Sequence, residues 1–219
     1  MNFEQARREV VAACRELADK GYLAGTGGNV ACRADDGHFM VTPTATDYYA
    51  MRPEDICVLR LDNLARVAGD RRPSIERKLH AHVLRVRQDC RASIHTHQPI
   101  ASAYTLLGRA LDIHDPLHRI MLGKKAAFVG YAPSGTGWLA SKLRKALRPE
   151  INAYLMRNHG VVCCGPTLGE TVARTEALES ACASFFRDAI GSRAGSGYNP
   201  HLSDVLALLV NSRDMESVQ

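Results

Sequence analysis

The stretch Ser93-Ile94-His95-Thr96-His97 contains two histidines separated by one residue. On an extended strand successive side chains point to opposite faces, so His95 and His97 share one face and Ile94 and Thr96 share the other. Two imidazoles side by side at the end of a strand are typical of a metal site. Two exposed histidines on an edge strand would give the same pattern, so the other motifs must decide between these alternatives.

The composition indicates a globular domain. The chain has 219 residues, of which 46% are hydrophobic and 23% charged, and this length can bury a substantial core. We expect no membrane span, because no apolar run of about 18 residues occurs, and residues 1–8 lack the apolar segment of a signal peptide. We predict a single domain over residues 1–219, with a core over about 3–190 and a tail, 191–219, that carries a short helix over 203–210.

Charge and cysteine content restrict the function further. The net charge of +5 suits an anionic small substrate, and the scattered basic residues with few aromatics argue against a nucleic-acid surface. The seven cysteines are odd in number and contain no C-x-x-C pair, which predicts reduced thiols in a cytoplasmic protein. Cys163 and Cys164 fall in a predicted buried strand, where we interpret them as small core residues.

Hydrophobic spacing predicts helices and short strands in mixed order. Helices are expected over residues 3–20, 74–86, 100–107, 137–147 and 168–190. Strands are expected over residues 30–33, 37–42, 56–61, 127–131, 152–157 and 160–164, with one more ending at residue 97. Residues 111–125 show neither pattern. Strands mixed with helices without strict alternation predict an α/β (α+β) single domain.

A glycine-rich loop, Gly25-Thr26-Gly27-Gly28-Asn29, follows the first helix. No Gly-Lys-Ser/Thr follows it, so it is not a P-loop, and it precedes a strand instead of following one, so it is not a dinucleotide fingerprint. Its outward-facing backbone N–H groups suit an anion.

The helix predicted over residues 74–86 carries two further histidines. Ser74 is the expected N-cap, Glu76 is expected in the first turn, and Val86 belongs to the expected apolar stripe. His80 and His82 are rotated by about 200° from each other on a helix, so they cannot hold one metal ion together. We interpret His80, four residues after Glu76, as an orienting or packing residue near the site, and His82 as a surface residue.

The metal hypothesis rests on a set of three histidines and one carboxylate. His95 and His97 lie at a strand end, His159 lies at a break between two strands, and Glu76 lies near a helix start. Three neutral imidazoles with an open further position are typical of a catalytic divalent metal, most often zinc. A structural zinc site would more usually use thiolates, and the cysteines lack that spacing.

Six motifs, in this order and spacing, resemble the class II aldolase/adducin family over about residues 3–190. The motifs are Thr26-Gly27-Gly28-Asn29-Val30, Val41-Thr42-Pro43-Thr44, Pro53-Glu54-Asp55-Ile56, Pro73-Ser74-Ile75-Glu76, His95-Thr96-His97 and Asn158-His159-Gly160. The resemblance implies a central, mostly antiparallel sheet flanked by helices. It also implies a homotetramer with active sites at the subunit interfaces.

The resemblance also implies roles for individual residues. Zinc, or alternatively Mn²⁺ or Co²⁺, would be bound by His95, His97 and His159, with Glu76 as the acid/base that also touches the metal. The substrate, including its phosphate, would contact the residues Thr26, Gly28, Asn29, Thr44 and Ser74.

This chain departs from the family pattern at the phosphate pocket and at the proton donor. Ala45 stands where glycine is usual, and Ile75 replaces a second serine, so we expect a weakened or reshaped phosphate pocket. The family uses a tyrosine of the neighbouring subunit as a proton donor. No tyrosine stands in the matching segment, where His114 or His118 could substitute.

Three functional hypotheses follow. The first is a zinc-dependent lyase that cleaves or forms a C–C bond by aldol chemistry in a small hydroxy-carbonyl substrate such as a sugar phosphate. The second keeps the metal site but uses it for decarboxylation, dehydration or epimerisation of a related sugar acid or sugar phosphate. The third is a non-catalytic, adducin-like binding module.

Overall fold

A nine-stranded sheet runs through the centre of the computed structural model, which describes residues 3–23 and 25–194. The helices are α1 (Phe3–Asp19), α2 (Arg77–Val86), α3 (Pro99–Thr105), α4 (Pro116–Leu122), α5 (Gly137–Ala146) and α6 (Leu168–Ala194). The strands are β1 (Asn29–Arg33), β2 (His38–Val41), β3 (Cys57–Arg60), β4 (Arg66–Ala68), β5 (Ala92–Thr96), β6 (Leu111–Asp112), β7 (Lys125–Val129), β8 (Ala153–Met156) and β9 (Gly160–Gly165). A short 3₁₀ turn covers Pro53–Asp55.

The strand order across the sheet is β4-β3-β2-β1-β5-β9-β8-β7-β6. All neighbouring pairs are antiparallel except β7 and β8, which run parallel. The prediction of a mixed α/β domain with a mostly antiparallel sheet flanked by helices is confirmed. Strand β5 occupies the middle of the sheet, which places the end of the His95 strand inside the molecule.

Helices cover both faces of the sheet. Helices α2 and α5 pack on one face, and α1, α3, α4 and α6 contribute to the clusters on the other. Strand β9 is buried along its whole length, with Cys164 in the cluster of α2 and α5 and Cys163 in that of α3 and α6. A strand covered on both faces has no solvent side, which explains its uninterrupted apolar sequence. Both cysteines are core residues, as predicted.

The structure corrects the predicted helix over residues 74–86. Helix α2 begins at Arg77, because Ser74 and Glu76 form a turn in which Glu76 N donates to Ser74 Oγ at 3.1 Å. Glu76 is therefore the N-cap residue and not part of the first turn. Val86 is 48% exposed and does not belong to the apolar stripe of the helix. The buried Leu84 belongs to it instead.

His82 is also not the surface residue that we predicted. It is half-buried, because α5 packs alongside α2. This burial lowers the pKa of His82 below its ordinary value.

Residues 111–125 contain two elements that the sequence pattern did not predict, β6 and α4. Helix α4 starts with a regular cap, since His118 N donates to Asp115 Oδ1 at 2.8 Å and Pro116 occupies the first turn. Only seven residues form the helix, too few for a clear periodicity. The helix predicted over residues 203–210 lies outside the described residues. In the described part of the chain, no helix is both long and apolar enough to cross a membrane.

Candidate metal centre

Three imidazoles converge where β5 ends. His95 is the fourth residue of that strand, and His97 lies just beyond its last residue. The ring centroids are 4.8 Å apart for His95 and His97, 4.8 Å for His95 and His159, and 5.4 Å for His97 and His159. The nitrogens that could bind a metal ion all lie within 4.8 Å of one another. The structure thus brings together the three histidines that the sequence indicated.

The sheet register brings His159 to this place. Strand β9 pairs with β5 so that Thr96 lies opposite Val161. The tight turn before β9, in which Asn158 has a φ of 51°, therefore carries His159 to the end of β5. This contact depends on the pairing of strands distant in sequence.

The carboxylate of Glu76 lies against two of these histidines. Its Oε2 lies 3.2 Å from His95 Nε2, and its Oε1 lies 3.2 Å from His159 Nε2. Burial disfavours the charged carboxylate, but contacts with the imidazoles of His159 and His95 outweigh it and hold the pKa of Glu76 below its usual range. Burial also lowers the pKa of His97, to about 4, so that this imidazole is neutral at pH 7.

The donor set fits a divalent metal ion. His95 Nδ1 lies 2.8 Å from the carbonyl oxygen of Val161 and donates to it, which leaves Nε2 as the ring nitrogen that faces the centre. This Nε2 lies 3.1 Å from His97 Nε2 and 3.2 Å from Oε2 of Glu76. A metal ion bound among these atoms would replace the imidazole protons that face the carboxylate. Two ligands of a tetrahedral zinc ion would be about 3.3 Å apart, given bonds of about 2.0–2.1 Å.

A buried chain of polar side chains supports Glu76. Asn29 Nδ2 donates to Glu76 Oε2 at 3.0 Å, and Asn29 Oδ1 accepts from His80 Nε2 at 2.5 Å. The other ring nitrogen of His80 lies 2.8 Å from Ser93 Oγ. Burial lowers the pKa of His80 to about 3, so its ring is neutral, donating to Asn29 and accepting from the serine. His80 lies near the site, as predicted.

The residues predicted to bind phosphate lie on the glycine loop, at the first position of β1 and on the two segments that contain Thr44 and Ser74. A Cβ atom at Gly28 would lie 2.7 Å from the carbonyl oxygen of His95, so only glycine fits there. Thr26 is exposed on the same loop. Thr44 is half-buried, and its N–H donates a hydrogen bond of 2.9 Å to the carbonyl oxygen of Arg72. This contact lies near the buried Ser74. The side-chain amide of Asn29 already makes hydrogen bonds to His80 and Glu76.

Two side chains at the site were missed by the sequence analysis. Tyr48 is 4% exposed, and its hydroxyl donates to the carbonyl oxygen of Gly28 at 2.6 Å. This hydrogen bond fixes the glycine loop. Ser134 Oγ donates to Glu76 Oε1 at 2.8 Å. Neither residue has a local signal, because each contact joins segments that are distant in the chain.

The departures from the family pattern have different structural consequences. Ala45 keeps a φ of 50°, the left-handed conformation that a glycine would adopt easily. His114 and His118 line a separate cleft of about 740 Å³ with Arg109 and Asp188. Within the described chain, neither of these two histidines contacts Glu76 or the three converging imidazoles.

Comparisons with known proteins agree with this site. The family model "Class II Aldolase and Adducin N-terminal domain" matches residues 8–185. The L-fuculose phosphate aldolase of Methanocaldococcus jannaschii is 32% identical over 173 residues, covering 79% of this chain and 91% of that protein. The 3-oxo-tetronate 4-phosphate decarboxylase of Haemophilus influenzae is 30% identical over 178 residues, covering 78% and 82%.

A solved structure has the same fold. YgbL from Klebsiella pneumoniae, described as "a putative aldolase/epimerase/decarboxylase", superimposes with a TM-score of 0.78 and 29% identity, covering 85% of this chain and 91% of its own.

Proposed function

The chain belongs to the class II aldolase and adducin family and is an aldolase-type lyase, and we propose that it uses a divalent metal to cleave or form a C–C bond in a small sugar phosphate. The observation that carries this proposal is the convergence of the three imidazoles on the carboxylate of Glu76. An adducin-like binding module would not need this donor set, and the relatives reported above are named as enzymes.

His95, His97 and His159 would hold the metal, which we propose to be zinc, with Mn²⁺ or Co²⁺ as alternatives. When bound, the ion supplies Lewis-acid stabilisation of the negative charge that develops on the substrate oxygens. The carbonyl oxygen of Val161 fixes the tautomer of His95, and the neutral state of His97 keeps its lone pair free.

Glu76 moves the proton. In the cleavage direction a base takes the proton of the hydroxyl beside the breaking bond, and the C–C electron pair passes to the carbon next to the carbonyl. An acid then protonates that carbon. One carboxylate can do both, accepting the first proton and returning it. Asn29 and Ser134 each donate to one oxygen of Glu76, so both oxygens are oriented before the substrate arrives.

We propose that the phosphate is held by the residues Thr26, Gly28, Asn29, Thr44 and Ser74. Backbone N–H groups of the glycine loop suit an anion, and Tyr48 keeps that loop against the end of β5. Ile75, next to Ser74 in the sequence, adds an apolar side chain that is 47% exposed. We therefore expect a phosphate contact with fewer hydroxyl donors than the family pattern has.

We further propose a homotetramer with the active sites at the subunit interfaces. Helix α4 exposes the apolar side chains of Leu117 and Ile120, 71% and 78% exposed, next to His118. Such a face is suited to contact a second copy. That contact would carry His114 and His118 towards a neighbour's site. The cysteines, all free in the described residues, suit a reducing compartment such as the cytoplasm.

A second candidate function keeps the metal and changes the reaction to decarboxylation, dehydration or epimerisation. It is favoured by the likeness to the 3-oxo-tetronate 4-phosphate decarboxylase and to YgbL. These reactions also generate a carbanion next to a carbonyl, so the same charge stabilisation serves them.

The test combines metal analysis with product analysis. We expect one zinc per chain, loss of activity on chelation, and recovery with zinc. Glu76→Gln should keep the metal and lose activity. The purified protein is incubated with L-fuculose 1-phosphate, 5-deoxyribulose 1-phosphate and 3-oxo-tetronate 4-phosphate. Aldehyde release supports the aldolase, carbon dioxide release supports the second candidate, and full activity of the metal-free protein would contradict both.

A further inference from the structure

The two oxygens of Glu76 are held in different ways. Oε2 accepts from Asn29, which is fixed by the buried His80 and Ser93. Oε1 accepts from the hydroxyl of Ser134 at 2.8 Å, and Ser134 lies on the exposed side of the site. Oε1 is thus the oxygen on the open side, where a substrate would approach.

A tight turn holds the hydroxyl of Ser134 in place. Both the N–H and the hydroxyl of Thr136 donate to the carbonyl oxygen of Pro133, at 3.4 and 2.7 Å. Gly135, the third residue of this turn, has a φ of 72°, the value that a type II turn requires at that position. Ser134 therefore stands at a defined corner of the backbone.

Ile75 supports the same turn from the other side. A Cβ atom placed on Gly135 would lie 3.0 Å from Cδ1 of Ile75, so the isoleucine side chain packs directly on the turn. Ile75 precedes Glu76 in sequence. The residue that departs from the family's serine thus buttresses the turn that carries the second donor to Glu76.

We propose that Ser134 is a positioning residue for Glu76, holding Oε1 towards the substrate through its hydrogen bond while the carboxylate accepts and returns the proton. This inference rests on the function proposed above. Imidazole nitrogens that serve a metal ion cannot also donate to the carboxylate. Asn29 and Ser134 then remain as its hydrogen-bond donors, one for each oxygen. Without the Ser134 hydroxyl, the carboxylate of Glu76 could rotate and Oε1 would no longer be directed towards the substrate.

The experiment compares four variants with the wild-type zinc-loaded enzyme: Ser134→Ala, Ser134→Thr, Glu76→Gln and Ser141→Ala. Ser141 is an exposed hydroxyl residue on α5 that does not contact Glu76, so its variant is a matched control. The readouts are kcat and KM for cleavage of L-fuculose 1-phosphate and 5-deoxyribulose 1-phosphate. Incorporation of deuterium from D₂O into dihydroxyacetone phosphate and the zinc dissociation constant are measured as well.

A hydrogen bond to a charged group predicts that Ser134→Ala lowers kcat and deuterium exchange about tenfold to a hundredfold. KM should stay within about twofold and the zinc dissociation constant within about threefold, because the Ser134 hydroxyl that is removed bonds to Glu76 and not to a proposed metal ligand or phosphate-binding residue. Ser134→Thr, which keeps the hydroxyl, should restore most of the rate, and Ser141→Ala should match the wild type.

Two results would overturn the inference while leaving the proposed function intact. One is a Ser134→Ala enzyme as fast as the wild type when Glu76→Gln is inactive. The other is a Ser134→Thr enzyme as slow as Ser134→Ala, since the hydroxyl would then not be what matters. If Glu76→Gln retains full activity, or if the wild type neither cleaves nor exchanges these probes, the proposed function itself fails.

Discussion

Asn29 Nδ2 donates a hydrogen bond of 3.0 Å to Oε2 of Glu76 across 47 positions of the chain. The amide has a single orientation here, because its oxygen accepts from the neutral ring of His80. The residue that opens β1 is therefore directly linked to the proposed acid/base at the start of α2. This link gives Asn29 a role beyond the predicted substrate contact.

Replacing Asn29 with aspartate tests this link with almost no change of shape. In Asn29→Asp an acceptor faces the Glu76 carboxylate at hydrogen-bond distance, so one of the two carboxyl groups must take up a proton. We expect kcat to fall about a hundredfold or more. Asn63→Asp, at an exposed turn, is the control and should keep full activity. An Asn29→Asp enzyme within threefold of the wild type would show that the amide does not orient Glu76.

The three imidazoles should be individually necessary for metal binding. His97→Ala removes one of three proposed ligands, and we expect the zinc content to fall from about one per chain to a small fraction of that after dialysis against a weak chelator. Mass spectrometry of the metal measures it. His114→Ala, at the separate cleft, should keep its zinc. Equal zinc in the two variants would exclude the proposed ligand set.

Buried neutral His80 predicts a specific dependence of stability on pH in the metal-free protein. Its pKa is about 3 in the folded state and about 6.5 when unfolded. As the pH falls below about 6.5, the unfolded chain binds a proton there that the folded chain does not. The free energy of unfolding therefore decreases by up to about 1.4 kcal/mol per pH unit from this residue.

His80→Gln should remove this contribution while keeping a donor for Asn29. We expect a lower free energy of unfolding at pH 7 and a shallower decrease of it between pH 6.5 and 4. Urea unfolding in the presence of EDTA measures both. Parallel curves for the variant and the wild type would mean that His80 is not held neutral.

Local sequence patterns were sufficient where a feature depends on neighbouring residues. The alternation around His95, the break at His159 and the start of α6 at residue 168 are all features of this kind. At that start, Glu170 N donates to Thr167 Oγ1 at 3.1 Å. The start of α2 was placed wrongly, because the Ser74 hydroxyl closes a preceding turn instead of capping the helix.

Contacts between distant segments could not be predicted in this way. Ser134 lies 58 positions from Glu76, and Tyr48 lies 20 positions from Gly28. Their partners are determined by the strand order of the sheet and by the packing of α5 beside α2. A serine in a Ser-Gly-Thr-Gly turn has the same local sequence whether its hydroxyl faces solvent or a carboxylate.

Ala45 has a φ of 50° in the loop that is proposed to hold the phosphate, and this conformation predicts a stabilising substitution. An L-residue in the left-handed region costs about 1–2 kcal/mol, whereas glycine there costs about 0.4–1 kcal/mol in added unfolded-state entropy. Ala45→Gly should therefore raise the free energy of unfolding by about 0.5–1 kcal/mol. The expected rise in Tm is about 1–4 °C.

Ala50 provides the matched control, since it is also exposed and does not have a positive φ. Ala50→Gly should lower stability by about 0.4–1 kcal/mol, because only the entropy of the unfolded chain changes. Urea unfolding of both variants measures the difference, whose sign should be opposite at the two positions. If Ala45→Gly destabilises the protein as Ala50→Gly does, Ala45 does not retain the glycine-like backbone of the loop.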